Sequence, residues 1–96
     1  MLDQVTVETF EPHVGTSFWL HVEGHKVEMR LVKAAKVMES EAARLQRNAF
    51  SLFFLGPVRL PQQIYHLTHD AVEPMDIFLV PVGSEDEALV YEAVFT

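Results

Sequence analysis

Apolar and polar residues alternate with period two along most of this chain, which is the signature of half-buried β-strands. The clearest case is SFWLHVEGHKVEMRLVK, Ser17 to Lys33. Phe18, Leu20 and Val22, then Val27, Met29 and Leu31, fall on one face. Trp19, His21 and Glu23, then Lys26, Glu28 and Arg30, fall on the other face. A tight turn joins the two halves. Taking Gly24-His25 as a two-residue loop puts Gly at the first central position of a type II′ turn. That register sets Val22 against Val27, Leu20 against Met29 and Phe18 against Leu31. Outside, it sets Glu23 against Lys26, His21 against Glu28 and Trp19 against Arg30, the last a cation–π pair.

Upstream, Thr6 is placed to cap a short helical turn, VETFEPHV, closed by Gly15. Pro12 forbids a long helix there. Phe10 and Val14, four apart, are expected to press one side of it into the core. Downstream, Lys33 to Ala49 has helix-forming composition and a cap at Ser40. Its apolar face is thin, so it reads as a polar connection holding a short helix within 38–48. FSLFFLGP, IYHLTHD, MDIFLVPVG and LVYEAVF read as further strands, divided by RLPQQ, by Asp70–Pro74 and by the charged turn SEDEA. Pro81 belongs near an edge, a bulge or a strand end. The expected fold is a single all-β domain over 1–96: a six-stranded antiparallel barrel-like sheet with a short N-terminal helical turn.

The later strands depart from simple alternation. Phe50, Leu52 and Phe54 suit an interior, but Phe53 and Leu55 on the other parity are apolar too. The same holds for Phe78 and Val80 beside Ile77 and Leu79, and for Val90 and Val94 beside Leu89, Tyr91, Ala93 and Phe95. A sheet with one wet face shows polar residues there. Phe53, Leu55, Phe78, Val80, Val90 and Val94 are therefore the candidate interface, to be covered by the chain's own short helical pieces or by another protein. The hairpin's outer face, with Trp19, His21, Glu28 and Arg30, is a secondary docking candidate, since Trp and Arg are frequent at binding hot spots.

Composition narrows the function classes. Ninety-six residues, 49% of them hydrophobic, make one domain with an adequate core. The formal charge is −7 and only seven Lys and Arg are present, unclustered, so neither nucleic acid nor an anionic membrane is an expected partner. There is no Cys. Together with an N-terminus that lacks a basic start and an apolar run, this leads us to expect a cytoplasmic protein.

The opening LDQVTVETFEPHVGTSFWL, the middle FSLFFLGP…LPQQIYHLTH and the closing IFLVPVG…YEAVF carry a resemblance. They are similar to a bacterial family of short domains of unknown function with the pattern Leu-x-Gln-Leu-Thr-x-x-x-Phe…Gly-x-x-Phe at the start. Its end reads Phe-Leu-Val-Pro-Val-Gly…Tyr-Glu-Ala-Val-Phe. Here Val5 stands where the pattern has Leu, and nothing between Lys33 and Arg47 aligns. The resemblance implies a small β domain, bacterial or phage-derived and accompanying phage-tail-like proteins. It supplies no functional residues.

Catalytic signatures are missing from the sequence. Ser17, Ser40, Ser51 and Ser84 lack a nucleophile-elbow context, and four Gly make no phosphate loop. Of the five His, His66 and His69 lie three apart on a strand and face opposite ways, and no helical ligand pair occurs. No catalytic, cofactor or metal residues are assigned. The expected role is a non-enzymatic protein-interaction or assembly module, with a protein partner or a second copy. The alternatives are a small barrel holding an apolar small molecule and, behind it, a hydrolase-like enzyme.

Overall fold

A computed structural model describes residues 6–36, 49–85 and 88–95. Among them six strands form a closed, wholly antiparallel barrel in the order β1-β2-β3-β6-β5-β4. They are β1 (Ser17–Val22), β2 (His25–Lys36), β3 (Phe50–Gly56), β4 (Gln63–Thr68), β5 (Met75–Glu85) and β6 (Ala88–Phe95). A one-turn helix, α1 (Val7–Phe10), and a 3₁₀ turn, Glu11–His13, precede them. The expected all-β barrel with an N-terminal helical turn is what the chain forms. The helix expected within 38–48 falls outside the described residues.

The hairpin corrects the expected turn. Its two central residues are Glu23 and Gly24, both with positive φ (50° and 83°), so the turn is of type I′ rather than II′. The register becomes Val22↔His25, Leu20↔Val27, Trp19↔Glu28, Phe18↔Met29 and Ser17↔Arg30. A shift of two residues keeps every side chain on its expected face but exchanges all the partners. Gly24 takes the second left-handed position without cost, and the type I′ backbone matches the twist of the strands. The ladder runs on past β1, with the Leu31 N–H donating to the Thr16 carbonyl at 3.1 Å.

Strand β2 is longer than expected. Lys33 to Lys36 continue it and pair with Phe50 to Phe53 of β3 rather than starting a polar connection. Val32 is the extra residue of a bulge, which lets Lys33 face outward opposite Phe53. A second bulge follows Pro81, where Val82 is skipped in the β5–β6 register. Pro81 therefore sits where a strand tolerates it.

Inward positions fill the barrel: Phe18 and Leu20, Met29 and Leu31, Leu52 and Phe54, Tyr65 and Leu67, Ile77 and Leu79, Tyr91 and Ala93 are all buried. A six-stranded barrel leaves room for side chains and little more. Gly56 is part of that packing, because a Cβ there would overlap the Met29 sulfur and lie 3.3 Å from Tyr91.

Each end has its own plug. At one end α1 drops Phe10 between Phe18, Phe50 and Phe95, with ring centroids 6.2, 5.9 and 5.8 Å away. Phe50 and Phe95, paired across β3 and β6, stack at 4.6 Å. Val7 shares this burial, but Val14 does not; it is exposed. The α-turn gives way to a 3₁₀ turn at Glu11-Pro12, and the four-residue phase linking Phe10 to Val14 is lost there. At the other end Tyr91 donates its hydroxyl to the Val58 carbonyl (2.6 Å) and accepts the Leu60 N–H (2.8 Å). Tyr65 donates to the Pro61 carbonyl at 2.5 Å. Burial and the nearby Tyr91 push the Tyr65 phenol above its ordinary pKa, which keeps it a donor.

Candidate functional site: the outer face of β3, β6, β5 and β4

Closing the sheet uses one parity of each strand for the interior and turns the other outward. On β1 and β2 the outward set is polar. On β5, β6 and β3 it is largely apolar, and the registers bring it, with Ile64 of β4, into one patch. Ile64 of β4 stands directly opposite Phe78 of β5. Val80 of β5 is level with Glu92 of β6, which is level with Phe53 of β3. Val90 pairs with Leu55, and Val94 pairs with Ser51. Leu79↔Ala93 sets the β5–β6 register so that Phe78 comes beside Val94.

Exposure divides these residues. Ile64, Phe78 and Val94 are 66, 49 and 55% exposed, whereas Phe53, Leu55, Val80 and Val90 are half-buried by their neighbours on the same face. The structure thus brings all six candidate interface residues onto one surface. Sequence reasoning missed Ile64, the most exposed of the large apolar residues in this patch. A lone apolar residue after Pro-Gln-Gln gives no signal until the β4–β5 pairing sets it against Phe78.

The secondary face is arranged differently. Trp19 pairs with Glu28 on one side and Thr68 on the other. The cation over its ring is Lys26, 5.5 Å from the centroid; Arg30 lies opposite Ser17, so the expected Trp19–Arg30 pair is absent. Glu28 accepts the Ser17 hydroxyl rather than meeting His21. His21 Nε2 lies 2.9 Å from Thr68 Oγ1, and its ring is 5.5 Å from His66, whose Nδ1 meets Asp76 at 2.9 Å. Most polar groups of this face are already engaged with one another.

His66 and His69 do not share a strand, since β4 ends at Thr68. His69 packs on His13 and Phe18, with ring centroids 4.7 and 4.2 Å away. Among the described residues no three His, Asp or Glu side chains converge on a possible metal position. The hydrogen bonds around His69 fix its tautomer. Nδ1 accepts the Ala71 N–H at 3.0 Å. Thr16 Oγ1 gives its proton to the His13 carbonyl, so His69 Nε2, 3.0 Å away, must be the donor to it. The ring is neutral. Burial, then His13, hold its pKa below the ordinary 6.5, against a smaller opposite pull from Asp70. The unfolded chain therefore takes up this proton more readily than the folded one. The stabilisation is complete above the unfolded value and is lost as pH falls through the folded one. We expect the urea midpoint to decline as pH falls through the ordinary value of 6.5 and below it, with a shallower decline in His69→Gln.

An open depression of ≈ 340 Å³ is lined by Arg59, Pro81, Gly83, Ser84 and Leu89, near the second bulge. It is a surface hollow rather than an enclosed chamber. No helix among the described residues is long and apolar enough to cross a membrane.

Fold and face together define a small closed antiparallel barrel with a filled interior and one apolar outer wall. The chain belongs to the family described as a domain of unknown function (DUF6916), which matches residues 5–95. Comparisons with curated proteins and with solved structures gave no match.

Proposed function

We propose that this domain is a non-enzymatic protein-interaction module, a part used in assembly, which docks through the outer face of β3, β6, β5 and β4. The observation that carries the proposal is the contiguous patch of Ile64, Phe78 and Val94 with Phe53, Leu55, Val80 and Val90 around them. Large contiguous apolar patches on soluble chains mark binding surfaces more often than scattered exposed residues do. The partner is a protein. A charge of −7 with seven dispersed cations argues against nucleic acid and anionic lipid. The bacterial and phage-tail-associated setting implied by the resemblance, and the cytoplasmic one expected from composition, form part of this proposal. A barrel that holds an apolar small molecule is less well supported, since side chains occupy the inward positions.

The test is co-expression with the products of the flanking genes, together with light scattering of the isolated domain over a concentration series. Phe78→Glu should abolish a stoichiometric complex while shifting stability by no more than about 0.5 kcal/mol, as a surface substitution does. A complex indifferent to Phe78→Glu would refute the proposed face. So would a domain that stays monomeric alone and binds none of its neighbours.

A further inference from the structure

Glu92 lies at the middle of the apolar face. Phe53 flanks it on β3 and Val80 on β5, while Val90 and Val94 flank it along its own strand. It is half-buried and has no hydrogen-bond or ion-pair partner among the described residues. Among the described residues the cation nearest in register is Lys33, beyond Phe53, and its Nζ lies 5.7 Å from the Phe53 ring. Two strand spacings put the Glu92 and Lys33 backbones roughly 10 Å apart. An occupant that is only apolar would strip water from the Glu92 carboxylate and leave it uncompensated, which is costly.

We infer, building on the docking face proposed above, that its occupant is a segment of another protein carrying one Lys or Arg that meets Glu92 among flanking apolar side chains. A second copy of this chain fits less well. A two-fold axis running along β6 would cover the whole patch but set Glu92 against Glu92, between two chains of −7 each. An axis running through Phe53 would set each Glu92 opposite the second copy's Lys33. It would also leave Ile64 and Phe78, the outlying apolar residues, beyond the centre of contact. Strand addition at Glu92 is not open to the occupant either, because β6 is paired with β3 on one side and β5 on the other. Recognition must run through side chains.

The experiment titrates three labelled synthetic peptides, identical but for a central Lys, Gln or Glu between Leu and Phe residues, by fluorescence anisotropy. Wild type, Glu92→Gln, Phe78→Glu and Glu23→Gln are compared. Glu23, exposed in the hairpin turn, controls for overall charge. The Lys peptide should bind wild type and Glu23→Gln at least about tenfold tighter than the Gln peptide, and the preference should vanish in Glu92→Gln. Phe78→Glu should weaken all three peptides. A Lys preference that survives Glu92→Gln overturns the inference and leaves the docking face standing. So does a wild-type dimer that Lys33→Glu dissociates, since the second copy would then be the occupant. Failure of the Lys peptide to saturate also overturns the inference. Peptide binding untouched by Phe78→Glu overturns the docking face itself.

Discussion

Replacing Phe10 by Ala should lower the unfolding free energy by about 3–5 kcal/mol, read as a fall in the urea midpoint at unchanged slope. The ring is fully buried and touches Phe18, Phe50 and Phe95, which belong to β1, β3 and β6. Its loss opens a cavity at the barrel mouth. The stacked Phe50–Phe95 pair cannot close over that cavity without breaking its own geometry. Against a total of roughly 5–15 kcal/mol for a domain of this size, the loss is large. Val14→Ala, four residues on but exposed, should change stability by less than about 0.5 kcal/mol. Equal effects at the two positions would mean that α1 does not seat Phe10 in the barrel mouth.

Tyr91→Phe should cost about 1–3 kcal/mol although it removes a single oxygen. That hydroxyl serves two backbone groups, the Val58 carbonyl and the Leu60 N–H, in a partly buried setting. Removing it leaves a donor and an acceptor without a partner while the ring keeps its place in the core. The signature to look for is local as well as global. Exchange of the Leu60 amide with solvent should quicken more than the change in overall stability accounts for. If Leu60 exchange merely follows the global change, the tyrosine is filling space and the loop is held elsewhere.

Much of this barrel is written in alternation. Phe50-Leu52-Phe54 and Met75-Ile77-Leu79 gave their inward faces directly, and with them the outward Phe53, Leu55, Phe78 and Val80. Parity survives small errors of pairing, and for that reason the hairpin faces were legible while its partners were not. Gly24 suits the first central position of one primed turn and the second of another, and both choices keep Phe18, Leu20 and Met29 inside. Lys33-Ala34-Ala35-Lys36 shows no strand pattern. It becomes strand because Phe50 to Phe53 offer it a partner, a tertiary influence that local propensity does not contain. The meeting of His13 with His69 joins an N-terminal turn to the loop after β4, and only the closed topology brings them together. Glu92 was visible as one carboxylate in an otherwise apolar strand. Its position at the centre of the patch required the β3–β6 and β5–β6 registers together.

The barrel closes where β1 meets β4, and only three residue pairs make that join: Trp19↔Thr68, Leu20↔Leu67 and His21↔His66. The other five junctions carry longer ladders. Closure is what hides every strand margin, so the shortest stitch guards the whole cylinder. Should it unzip, β1 and β4 become naked margins at once, and a foreign strand would find two full-length footholds.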